Sequence, residues 1–106
     1  MPEVIIIATV TPKPGAEAEV EEAFSALLAP SHAERGCELY ALHRVAERPG
    51  QLVFIERWSS QADLDAHAAS SHLAACGAAC EDKLVGPVEI VYLEPVSGGD
   101  PAKTRL

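Results

Sequence analysis

One carboxylate, one tryptophan and three histidines stand where they could do acid–base or binding chemistry: Glu56, Trp58, His43, His67 and His72. Glu56 sits in the run Gln51–Trp58 (QLVFIERW), among mostly apolar residues. In a dry pocket such a carboxyl holds its proton to higher pH, because burial penalises the charged form, and it then becomes a useful acid or base near neutrality. At a wet edge it would instead pair with an arginine. Phe54, Glu56 and Trp58 alternate along the run, so in a strand all three share a side. Trp58 is then either plain core or a flat wall on which a small aromatic could stack, with Phe54 as a second wall.

His67 and His72 are five residues apart, which on one continuous helix separates them by roughly 140°. A helical metal pair uses spacings of three or four, as in HExxH, and Cys76 with Cys80 lacks the CxxC spacing of zinc knuckles. No metal site is expected. His67 shares a stripe with Ser60, Leu64 and Ser71, whereas His72 neighbours Ala68 and Cys76; each imidazole is either a satisfied, half-buried side chain or a proton carrier. The cysteines read as small packing residues. The chain has no GxGxxG, no P-loop and no GxSxG, so no cofactor is expected, and any redox chemistry must draw on a bound substrate's own electrons.

These residues need a frame. Glu3–Val10 (EVIIIATV) is rich in β-branched residues and apolar on both faces, a strand that ends at Pro12–Gly15. From Ala16 the period changes: Val20, Ala23, Phe24, Leu27 and Leu28 share a helical face behind an acid-rich first turn. Pro30 interrupts that helix, with a further turn over Ser31–Arg35 before Gly36. Cys37–Ala46 and Gln51–Trp58 form a hairpin about Glu47–Gly50. Ser60 with Asp63 caps a second helix running to about Cys76, where Gly77 bends or breaks it and Ala78–Leu84 adds a short turn. Val88–Leu93 is the last strand, and residues 97–106 form a mobile tail behind a single domain over 1–96.

The order β-α-β-β-α-β is that of a ferredoxin-like α+β fold, a split βαβ with both helices on one face of a four-stranded antiparallel sheet. Pairing about the four-residue loop sets Phe54 opposite His43, Glu56 opposite Ala41 and Trp58 opposite Leu39. Tyr40, Leu42, Arg44, Val53, Ile55 and Arg57 then take the other side, and a slip of one residue would reassign His43. Both sheet faces are apolar while one subunit has helices for only one, so a second copy is expected on the bare face, as a homodimer.

Composition sets limits. The chain has 106 residues with 16 acidic and 8 basic side chains, a net charge of −8, and 48% hydrophobic residues. One core fits that length. The acidic balance disfavours nucleic acid and anionic membranes as partners, and no apolar run reaches a membrane span. Three cysteines without an export signal argue for reduced thiols and a cytoplasmic setting. Eighteen residues are alanine and none is asparagine.

Pro14-Gly15 before an acidic helix, Glu34-Arg35-Gly36-Cys37 leading into Tyr40 and His43, the run Phe54-Ile55-Glu56-Arg57-Trp58, then Ser60, Leu64, His67 and His72 resemble the antibiotic biosynthesis monooxygenase domain family over roughly residues 3–96. The resemblance implies a dimeric α+β barrel that oxidises small aromatics of the quinol, phenol or anthrone type with O₂, without metal, flavin or haem. It suggests His43 or His72 as the base and Glu56 as the group that orients an imidazole or substrate hydroxyl. Phe54, Trp58 and His67 would line the substrate. Relatives that cleave haem, and some anthrone oxygenases, rely on a pocket asparagine, which this chain lacks. Relatives acting on phosphorylated signalling sugars would need a basic pocket, for which Arg44, Arg57 and Lys83 are the candidates, and a non-catalytic ligand-binding dimer is a further alternative.

Overall fold

The computed structural model describes residues 3–106. Four strands, β1 (Val4–Val10), β2 (Cys37–Arg44), β3 (Leu52–Trp58) and β4 (Glu89–Leu93), form one antiparallel sheet in the order β2-β3-β1-β4. Between β1 and β2 lie α1 (Glu17–Ser25) and α2 (Leu28–His32), and between β3 and β4 lie α3 (Gln61–Ala68) and α4 (Ser71–Ala79). This is the ferredoxin-like α+β arrangement, with each helical connection cut in two.

Each cut has a local cause. Pro30 has no N–H to give the Ala26 carbonyl, so α1 stops at Ser25 and α2 restarts with the proline in its first turn. The second helical segment breaks at Ser70 rather than at Gly77. The Ser70 hydroxyl accepts from the Leu73 N–H at 3.4 Å and caps a new helix, while Gly77 lies inside α4. A glycine in a helix interior costs only about 1 kcal/mol, less than is needed to end the helix. The last strand begins at Glu89, one residue after the expected Val88.

Val10, Leu52, Trp58, Ile6 and Val20 are the largest fully buried apolar side chains, packed between the helices and the covered sheet face. The hairpin register differs from the expected one by a residue. Arg44 pairs with Leu52, His43 with Val53, Leu42 with Phe54 and Tyr40 with Glu56. The Val45 N–H donates to the Gln51 carbonyl at 2.9 Å, so the loop is Ala46–Gly50, one residue longer than expected, with Gly50 taking the left-handed conformation at φ 89°. Because side chains alternate, that one residue exchanges the two sides of β2. Tyr40 and Leu42 join Phe54, Glu56 and Trp58 under the helices, and His43 goes to the far face. A bulge at Glu38, between Cys37 and Leu39, brings Cys37 opposite Trp58.

At the β4 edge, Ile90, Val91 and Tyr92 are 55, 54 and 57% exposed. The tail carries a 3₁₀ turn at Pro101–Lys103, and Arg105 pairs with Glu3. No helix among the described residues is long and apolar enough to cross a membrane.

Candidate active site

Glu56 and Trp58 are two apart on β3, so both side chains rise from the same face, and the Trp58 indole N–H donates to Glu56 Oε1 at 2.9 Å. Glu56 is only 3% exposed. Burial pushes its carboxyl up to about 7; the indole hydrogen bond opposes this, and the negative charge of Glu34 adds to it. The group therefore changes charge around neutrality, where an unperturbed glutamate would be fully ionised.

Aromatic rings close around it. Tyr40, the cross-strand partner of Glu56, stacks on Phe54 at 4.7 Å between centroids and meets Trp58 edge-on at 6.1 Å. The His67 ring lies 4.5 Å from Trp58 and 5.0 Å from Tyr40. Burial, and then the Glu56 carboxylate, raise the Tyr40 phenol above its ordinary range, so it stays protonated and can donate a hydrogen bond.

Glu34, in the loop after α2, ties the two helical histidines together. His67 Nδ1–H donates to Glu34 Oε1 at 2.7 Å and His72 Nε2–H to the same oxygen at 2.6 Å. The expectation that these histidines lie apart assumed one continuous helix. The break at Ser70 sets them on separate helices, α3 and α4, and both converge on one carboxylate. The loop is held close by Gly36, at φ 82°, where any side chain would run into Asp63 at the head of α3; the Ser59 N–H also donates to the Gly36 carbonyl at 2.9 Å. His32 Nε2–H donates to the Tyr40 carbonyl at 2.8 Å and fixes the end of α2 on β2. The donor atoms of Glu34, His67 and His72 lie within 4.8 Å of one another, so these three could also hold a metal ion.

Phe54, Glu56 and Trp58 share one side, as read from the sequence; His67 and His72 converge there against the expectation that they lie apart, and His43 does not join them. It is exposed on the face opposite Glu56 and shares a hollow of about 350 Å³ with Glu21, Ser25 and Arg44 at the β2 edge. Its expected place beside Glu56 is corrected by the longer hairpin loop. Glu34 and Tyr40 entered the sequence reading within the stretch that resembles the family and were given no role there. Glu34 is one of 16 acidic residues and nothing local in the sequence points it at a histidine 33 or 38 residues away, and Tyr40 was assigned to the wrong sheet face.

Beside His72 a hollow of about 230 Å³ opens between α1 and α4, floored by Ala23, Leu27, Ala75 and Cys76. Alanines on both helices leave this space. Burial pushes the Cys76 thiol up to about 12, which keeps it a neutral packing group rather than a nucleophile.

The sequence profile of the antibiotic biosynthesis monooxygenase family matches residues 3–79, most of the chain. The chain belongs to that family. A Mycobacterium tuberculosis relative, Rv0793, named provisionally as a monooxygenase, is 34% identical over 93 residues, 88% of this chain and 91% of its own length. The solved structure of Rv0793 superposes with a TM-score of 0.82 at 32% identity, covering 93% of this chain and 100% of that one. PA3566 of Pseudomonas aeruginosa gives 0.85 at 32% identity over 92% and 97%. A provisionally named antibiotic biosynthesis monooxygenase of Caulobacter crescentus gives 0.80 at 30% over 90% and 91%. Family membership supports a monooxygenase-like function.

Proposed function

We propose that this chain oxidises a small electron-rich aromatic, a hydroquinone, phenol or anthrone, with O₂, using its own side chains for the proton transfers and no flavin, haem or metal in the chemical step. The observation that carries this reading is the line of titratable groups from the hollow inward: His72 at its edge, bonded to Glu34, then His67 against Trp58, then Glu56 with its carboxyl near 7. The substrate docks in the hollow and gives a hydroxyl proton to His72, which Glu34 orients. Deprotonation makes the aromatic a far better one-electron donor to O₂. One oxygen atom then enters the ring, the other leaves as water, and all the electrons come from the aromatic. Glu56 and His67 supply a buried proton reserve, and Phe54, Tyr40 and Trp58 form the rigid apolar wall that keeps the site dry.

The reading includes a homodimer in which a second copy covers the sheet face carrying Ile7, Val53 and Ile55, and a cytoplasmic setting that suits the free thiols of Cys37, Cys76 and Cys80. Oxygen uptake with a panel of hydroquinones and anthrones tests the activity. Protein-dependent uptake that H72A lowers by about 10²-fold is expected, and uptake equal to buffer alone across the panel would end the reading.

A ligand-binding dimer without turnover is the second reading, favoured by the tight closure around Glu56: Tyr40 is 4% exposed and Trp58 0%. Binding without oxygen consumption would select it. A phosphorylated sugar is poorly served, because Arg44 is spent on Glu21 and Arg57 on Glu38 and Glu3.

A further inference from the structure

We propose that Glu34, His67 and His72 form a three-ligand site for a borderline divalent cation of the Zn²⁺, Co²⁺ or Ni²⁺ class, a binding capacity separate from the oxidation proposed above. Three elements each contribute one donor: the loop after α2 gives Glu34 Oε1, α3 gives His67 Nδ1 and α4 gives His72 Nε2. Two imidazole nitrogens with a single carboxylate oxygen favour these ions over Mg²⁺ and Ca²⁺, which take oxygen donors almost alone. Three protein ligands also leave a position open for water or an anion.

The donors are already close to the spacing a cation needs. They lie within 4.8 Å of one another, with N···O separations of 2.7 and 2.6 Å that now hold protons. Around a tetrahedral ion with bonds of about 2.1 Å, donors sit roughly 3.4 Å apart, so Glu34 must draw back from the two rings by just under about 1 Å. The surrounding packing limits further movement. His67 is wedged against Trp58 and Tyr40, and the Glu34 loop is anchored by Gly36 beneath Asp63. Side-chain exposures of 5% for His67, 16% for Glu34 and 24% for His72 leave one approach, from the His72 side. Preset donors that lose little freedom on binding are what a metal site requires.

Trp58 is the only tryptophan in the chain and touches a proposed ligand, so its emission reports on this place. Untagged full-length protein, stripped with a chelator, is titrated with Co²⁺ and then with Zn²⁺. Saturable quenching of Trp58 by paramagnetic Co²⁺, visible d–d absorption, and reversal of the quenching by Zn²⁺ are expected. H72A and E34Q should each weaken Co²⁺ at least about tenfold, whereas H43A, altering an exposed histidine outside the site, should leave the affinity unchanged. The surface-accessible H72A keeps the test valid should E34Q fold poorly, and thermal denaturation without metal checks both. Absence of saturable quenching in the parent protein, or equal affinity in H72A and the parent, would overturn the proposal. Because binding is read without turnover, loss of oxygen uptake alone leaves this result separate.

Discussion

Glu56 and Arg57 are neighbours on one strand, and they show how differently the two faces of this sheet treat a charge. Glu56 looks under the helices, where burial lifts its carboxyl to about 7 and the Trp58 N–H is its only hydrogen-bond donor within reach among the described residues. Arg57 looks the other way, where Glu38 at 3.1 Å and Glu3 at 3.4 Å share its charge with solvent. On the covered face a charge is costly and therefore tunable; on the open face it is cheap and contributes little. Under the proposed oxidation, chemistry gathers where desolvation is strong, which is why that reading uses His67 and His72 and not His43.

The largest expected effect attacks that contrast at Glu56. Its folded-state pKa lies above the unfolded value of 4.5, so the folded chain binds more protons between these values. The resulting stability is fully present below about pH 4.5 and is lost as pH rises through 7, a change on the order of 3 kcal/mol. Urea denaturation from pH 4.5 to 8 should show that fall in the parent protein, and a flat profile would place Glu56 with the solvated residues such as Arg57. In E56Q the fall should shrink to the contribution of the remaining groups.

Under the proposed oxidation, H72A should lower oxygen uptake by about 10²-fold, while H43A should leave it unchanged; equal losses in the two would erase the distinction between the covered and open faces. G36A comes next. It forces an L side chain into a left-handed backbone and into Asp63, costing about 2 kcal/mol, and it should loosen the Glu34 loop, seen as faster exchange of the His67 and His72 ring protons by NMR. Trp58→Phe removes the one donor that favours the ionised Glu56, so the carboxyl should titrate at still higher pH by carbon-13 NMR. The smallest effect belongs to the open face: R57A should change stability by less than about 1 kcal/mol in urea denaturation.

The strands, the first helix and the side shared by Phe54, Glu56 and Trp58 were legible in the sequence, because period-2 alternation and amphipathic spacing are local properties of a chain. The Ser60–Asp63 cap announced its own consequence in the same way, the Ser60 hydroxyl accepting from the Asp63 N–H at 3.1 Å; Pro30 announced a break but not its place, since the helix already ends at Ser25 and Pro30 lies inside α2 rather than before it. The break at Ser70 was hidden, since a serine capping a new helix and a serine riding on a continuing one differ by one hydrogen bond, and Gly77 offered a stronger-looking signal. His43 was misplaced for a similar reason. Four- and five-residue hairpin loops differ little in energy, yet the choice inverts every side chain of β2.

The amino-acid order by itself therefore determined which segments become strands and helices and that a carboxylate and two rings, Glu56, Phe54 and Trp58, share one side of the sheet. Only the tertiary structure decided that Tyr40 stands over Glu56, that His43 is excluded, and that Glu34 gathers His67 and His72 onto one oxygen atom. The physical reason is range. Alternation and capping act within a turn or two of chain, whereas the distance from Glu34 to His72, 38 residues along the sequence and 2.6 Å in space, is set by a loop length, a helix break and a glycine contact acting together.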